Sequence, residues 1–186
     1  MPHISFSELK IWSECPFKHK LMYIDKIKGF IGNEYTAFGG AIHSLCENAL
    51  LGKLPEEDYE EYFQHAFRAE LNKVPVSKPE LVMEMLSQAN RISPEVIPAV
   101  ESYFGNFEVV SVEERLFEKI ENFEEADYNF KGFIDFVAKT EDGKYHIVDW
   151  KSCSWGWNAE RRTDRITTYQ LTLYKKFFCQ KYDIDP

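Results

Sequence analysis

The segment Gly132-Phe133-Ile134-Asp135, followed by Asp149-Trp150-Lys151, constrains this chain more than any other feature. Between them, Glu141-Asp142-Gly143 is a turn signal flanked by alternating runs, Phe133 to Val137 and Tyr145 to Lys151. That pattern predicts a β-hairpin with a short Gly-containing loop. A loop centred on Asp142 pairs residues whose numbers sum to 284, so Asp135 faces Asp149. Directly opposed residues have Cβ atoms about 4.5–5.5 Å apart, and like charges there destabilise a sheet. Lys151, two residues beyond Asp149, falls on the same face. Two carboxylates beside one lysine call for a missing partner, a divalent cation. A solvated strand face is the plainer reading, but Ile134, Phe136, Ile147, Val148 and Trp150 make both hairpin faces apolar, as in strands covered on two sides. Charges in such strands are costly unless paired or metal-bound.

At 186 residues, with 44% hydrophobic and 16% aromatic content, the chain fits one domain with a proper core. No apolar run approaches the ~20 residues of a membrane span, and Met1-Pro2-His3-Ile4-Ser5 lacks the regions of a signal peptide. Cys15, Cys46, Cys153 and Cys179 are widely spaced, which fits reduced thiols in a cytoplasmic protein better than disulfides or a zinc site. The net charge of −9 argues against a nucleic-acid binder until its distribution is considered. Residues 108–127 carry eight acids against two bases, whereas residues 144–186 carry eight Lys or Arg against five acids. Arg161, Arg162 and Arg165 cluster after Lys151, and Lys18, Lys20, Lys26 and Lys28 form a second basic group. A locally basic surface beside an acidic metal site suits a phosphodiester.

Ser5-Phe6-Ser7-Glu8 predicts a capped helix through about residue 23, interrupted at Cys15-Pro16. Gly39-Gly40 predicts the opening of a second helix, about 38–51, with Phe38, Ile42, Leu45 and Ala49 as its apolar stripe. A third helix runs from Pro55 to about Lys73. A Pro-containing linker and helices over about 79–104 follow, with breaks near Pro94 and Pro98. Strands are expected at about 108–120, 127–139 and 144–151, and a last helix at about 165–181. The order indicates α+β or mixed α/β organisation in a single domain, with a helical part, 1–104, and a sheet-and-helix part, 105–186.

Several residues carry an ordinary reading beside a functional one. Glu113 and Glu114 lie on the strand before the hairpin, and either could supply a third carboxylate; an acidic surface strand explains them equally well. His43, one turn before Glu47 and away from the main apolar stripe, is by spacing alone a structural or exposed histidine. Gln170 and Tyr174 share a helix face with Phe177, as a core-facing helix would. Trp155 and Trp157 could stack on bases, though packing explains them more simply.

Taken together, these pieces resemble the RecB-type branch of the PD-(D/E)XK nuclease superfamily over nearly the whole chain. The resemblance rests on Ser7-x-Leu9 through Cys15-Pro16, Gly39-x3-His43, Val112-Glu113, Gly132-x2-Asp135, Asp149-x-Lys151 and Gln170-x3-Tyr174, in that order. It implies a restriction-endonuclease-like core, a mixed central β-sheet flanked by helices, after an N-terminal helical region. By position it implies that Asp135, Asp149 and the carbonyl of Trp150 bind metal, with His43 as an extra ligand of this branch. Lys151 corresponds to the lysine that positions the attacking water. Glu113 matches the acid of the first core strand, with Glu114 as second choice, and Gln170 and Tyr174 match the motif on the following helix.

The implied activity is metal-dependent hydrolysis of DNA phosphodiesters with Mg2+ or Mn2+, as an exonuclease on single- or double-stranded DNA ends. Repair, recombination or mobile-element processing would be its setting, with a helicase or recombination protein as partner. A noncatalytic DNA-binding module on the same fold is the alternative. Cys15 stands where iron–sulfur members have their first cluster cysteine, but Cys179 stands alone in the C-terminal region, so no cluster is expected. The family core places another strand after the helix of Gln170, so the natural chain is expected to continue.

Overall fold

The computed structural model describes residues 1–27, 29–121, 127–153, 158 and 162–185. Among them the elements run β1 (His3–Ser5), α1 (Phe6–Glu14), α2 (Pro16–His19), α3 (Glu34–Leu50), α4 (Tyr59–Leu71), α5 (Pro79–Ile92), α6 (Val96–Phe104), β2 (Phe107–Lys119), β3 (Asn129–Thr140), β4 (Tyr145–Val148) and α7 (Arg165–Tyr182). The sheet has the order β1-β3-β2, and β4 also pairs with β3. β1 runs parallel to the first residues of β3, and β4 runs antiparallel to its last. The sheet is therefore mixed.

Sequence patterning and structure differ at four places, each for a local reason. β1 was not foreseen, because three residues are too few to show a period. α3 begins at Glu34, ahead of the glycines, because Asn33 and Thr36 form a reciprocal capping box. Pro98 does not break α6: it lies in the first turn, where its missing N–H has no helical partner to lose. β4 ends at Val148, short of the expected Lys151.

The chain divides into two compact units. One comprises Phe30–Val112 and Asp135–Ser152. Its helical core is built on Phe38, Phe63 and Phe67, whose ring centroids lie 5.4–5.8 Å apart. Phe63 and Phe67 are fully buried, and truncating such a ring to Ala typically costs about 3–5 kcal/mol. A second apolar cluster joins Leu50 of α3, Val100 of α6, and Phe136 and Ala138 of β3. Alternation along β3 thus sets one strand face against helices, as the apolar hairpin faces required.

The other unit comprises Met1–Gly29, Glu113–Ile134 and Cys153–Pro186. Ser5 caps α1 by accepting the Glu8 N–H, and the Cys15-Pro16 step separates α1 from α2 as expected. A π-helical turn, Lys20–Ile24, follows. Phe177 of α7 stacks nearly parallel on Phe130 of β3, with centroids 4.3 Å apart. Gln180 and Lys181 of α7 donate to the carbonyls of Lys119 and Arg115 on β2. α7 is therefore fixed to its strands by ring packing and by backbone acceptors.

Glu34 secures the start of α3 to the start of α5. Its buried carboxylate accepts the N–H groups of Ser77 (2.5 Å) and Lys78 (2.7 Å). Its own backbone N–H, then those of Lys78 and Ser77, hold the carboxyl below the usual range. A carboxyl with a lowered folded-state value contributes stability above its unfolded value, about 4.3 for Glu, and loses it as pH falls through the folded value. The stability gap between wild type and Glu34→Gln, measured by urea denaturation, should therefore be widest at neutral pH and narrow below about pH 4. An equal gap at both ends of that range would show that the ionised clasp is not what Glu34 provides.

Candidate active site

The hairpin supplies the frame. Gly143, at φ +80°, makes the turn, and its N–H donates to the Thr140 carbonyl. The pairs Phe136–Val148, Val137–Ile147, Ala138–His146 and Lys139–Tyr145 follow. Each pair sums to 284, the register expected from sequence. Pairing stops there, so Asp149, Trp150 and Lys151 continue beyond the strand instead of within it. Asp135 lies one residue before Phe136, the first residue of β3 to pair with β4.

α3 faces this segment. Gly39 and His43, one turn apart, share a face outside the Phe38, Ile42 and Leu45 stripe. A Cβ on Gly39 would lie 3.4 Å from the Ser152 hydroxyl, which marks how closely the helix approaches residues 149–152. The His43 Nδ1 lies 3.5 Å from Asp135 Oδ1. Asp135 Oδ2 accepts the Trp150 N–H at 2.6 Å. Lys151 forms an ion pair with Asp149, whose side chain is only 7% exposed.

These neighbours set the charges. Hydrogen bonding to Asp135 raises the His43 pKa against the opposing effect of burial, and the Trp150 carbonyl adds to the rise. Burial raises the Asp149 pKa; Lys151 opposes the rise and the Asp135 charge adds to it. The opposition of Asp135 and Asp149 expected from the register is thus moderated by the His43 imidazole beside one and the Lys151 ammonium beside the other. An imidazole nitrogen and a carboxylate oxygen 3.5 Å apart, those of His43 and Asp135, are donors suited to Mg2+ or Mn2+. A buried acid with a raised pKa is also one that a cation would relieve. The residues present fit a divalent metal.

Glu113 and Glu114, undivided by sequence, separate in the structure. Glu114 is buried and accepts from the Tyr182 hydroxyl (2.7 Å) and the Lys181 ammonium, a packing role for the second-choice acid. Glu113 is exposed and adopts φ +51°, a left-handed conformation rare for a non-glycine residue within a strand.

Gln170 donates to the Tyr174 hydroxyl at 3.1 Å, and Tyr174 is buried against Phe130. A Cβ on Gly132 would lie 2.8 Å from Tyr174 Cε1, so the ring packs directly on the β3 backbone at that glycine. Gly132 and Tyr174 therefore act as one contact. Trp155, Trp157, Arg161 and Lys28 lie outside the described residues. The Trp150 N–H to Asp135 was not foreseen from sequence, which assigns backbone donors only where a ladder or cap is legible.

A mixed sheet with helices packed on it, carrying acids at the hairpin exit, has the restriction-endonuclease-like architecture. The sequence profile of the PD-(D/E)XK nuclease superfamily matches residues 3–183, and the chain belongs to that superfamily. Among curated proteins, none matches the chain. Nucleases of this superfamily use divalent metals.

Two outcomes are expected from this geometry. Gly132→Ala should destabilise the protein by about 1–3 kcal/mol, the usual cost of overpacking. That cost should fall when Tyr174 is also Leu; additive costs in a denaturation cycle would show that the two sites do not meet. Second, the His43–Asp135 pair should stabilise the metal-free protein in a pH-dependent way. A histidine whose folded pKa is raised contributes fully below its unfolded value, about 6.5, and loses the contribution as pH rises through the folded value. In EDTA, the advantage of wild type over Asp135→Asn should shrink from about pH 6 upward. A constant advantage would show that Asp135 acts only through the Trp150 N–H.

Proposed function

We propose that this protein is a metal-dependent deoxyribonuclease of the RecB-type branch, acting as an exonuclease on DNA ends. The observation that carries the reading is the meeting of His43, Asp135 and the Asp149-Trp150-Lys151 segment beside α3. His43, Asp135, Asp149 and the Trp150 carbonyl would hold Mg2+ or Mn2+, with Glu113 as a further donor. When bound, such a cation polarises a phosphate and lowers the pKa of its water.

The chain's own residues supply the rest. Lys151 is partly exposed while anchored to Asp149, so its ammonium can orient a water or meet charge developing on the phosphate. Gln170 and Tyr174 support the β3 backbone at Gly132, three residues before Asp135. The basic residues after Lys151 suit a polyanionic substrate. Repair, recombination or mobile-element processing is the proposed setting, with a helicase or recombination protein as partner. A cytoplasmic location fits four unpaired thiols. No helix among the described residues is long and apolar enough to cross a membrane.

A noncatalytic DNA-binding module is the second reading, and the ion-paired Lys151 beside buried Asp149 speaks against it, since binding alone does not require a buried acid. Digestion of end-labelled linear and covalently closed DNA with Mg2+, Mn2+ and EDTA separates the two. Metal-dependent loss of linear DNA only is expected; metal-independent mobility shifts without cleavage would favour the binding module. Lys151→Ala should lower the rate by more than tenfold, roughly 1.4 kcal/mol of barrier, with Tm little changed. Retention of more than a tenth of the rate, by about the same measure, would remove Lys151 from the chemistry.

A further inference from the structure

We propose that the Trp150 indole is a positioning device, whose packing fixes the peptide unit that holds Asp135 and faces His43. The inference rests on the nuclease reading of this site and extends it from the main chain of residue 150 to its side chain. Strand pairing ends at Val148, so the ladder does not orient residues 149–151. Besides the Trp150 N–H to Asp135 and the Lys151–Asp149 pair, an apolar contact orients them. The indole lies parallel to the Phe136 ring, at an interplanar angle of 4° and a centroid distance of 6.5 Å. It also touches two apolar clusters of its unit, the helical one built on Phe38 and Phe63 and the one joining β3 to α6.

The consequence is geometric. The N–H of Trp150 reaches Asp135 while its ring rests on the next residue of the same strand, Phe136. Two adjacent positions of β3 thereby hold one residue by two different forces. The carbonyl of the same residue is a hydrogen-bonding neighbour of His43. A charge-assisted N–H to carboxylate bond is short and directional, so a ring free to move would loosen it. Groups that orient metal ligands typically alter affinity about 10–100-fold when removed. Trp150 is thus a positioning residue through its ring, separate from any role of its carbonyl.

The test compares Trp150→Leu, Trp150→Phe and Val100→Ala with wild type. Val100 is buried in the same apolar cluster and serves as a stability control. Two quantities are read: the amide proton shift of residue 150 in metal-free protein by NMR, and Mn2+ affinity by calorimetry. Trp150→Leu should move the amide to higher field and weaken Mn2+ about tenfold or more. Trp150→Phe, which keeps a stackable ring, should retain both, as should Val100→Ala despite its lower Tm. A folded Trp150→Leu with wild-type shift and affinity overturns the proposal, as does equal loss in Val100→Ala. Should Trp150→Leu not fold, Phe136→Leu carries the same test, since it removes the stack and leaves the indole: loss of the low-field amide supports the clamp and its retention overturns it. If wild type binds no Mn2+ and cleaves no DNA, the nuclease reading fails by itself, and the amide shift alone decides the clamp.

Discussion

The antiparallel register of β3 and β4 is the constraint on which the candidate site depends. With strand period two, a slip of one residue would exchange the faces of Asp135 and Phe136 and set the carboxylate against Leu50 and Val100. The buried Phe136 and Ala138 make that exchange costly, so the core holds the carboxylate in place. The Gly143 turn fixes the register from the other end. Packing and turn chemistry thus agree, and the position of an acid follows from residues that have no chemistry of their own.

Acids in low-dielectric surroundings persist here by being shared among partners. Asp149 is held against burial by Lys151, and Asp135 by a backbone donor and an imidazole. Glu114 shows the same requirement met differently: an ammonium and a phenol hydroxyl of α7 engage it within a packed contact. Breaking such a pair is more damaging than the pair is stabilising, since the surviving charge stays buried. The difference between the two sets lies in access. Lys151 and His43 are each about a third exposed, whereas Glu114 is enclosed by the helix it secures.

What could be read from the sequence was what is local. The hairpin, its register and the helix of Gln170 depend on residues close in the chain, and the structure has them. His43 became interpretable only through family resemblance, because no spacing on α3 reports that Asp135 lies beside it. The start of α3 is set by Asn33 and Thr36, a cap signal that the Gly39-Gly40 pair further along obscures. β1 was too short for periodicity, and the partner of Glu114 lies on a helix remote in sequence. Strand parity separates Glu113 from Glu114, and the structure keeps that alternation, with Glu114 and Leu116 buried and Glu113 and Arg115 exposed; parity alone does not say which acid serves a metal.

That left-handed residue sharpens the case for Glu113. A non-glycine side chain held at φ +51° costs about 1–3 kcal/mol, and such costs concentrate where the surrounding structure imposes them for a reason. Glycine would adopt the conformation without that strain, and Asn or Asp with less of it. The position is instead occupied by an exposed glutamate. The carboxylate of Glu114 is already engaged by Lys181 and Tyr182, whereas an exposed acid at a strained strand position is open to solvent, and on that ground Glu113 is the acid proposed as the further donor.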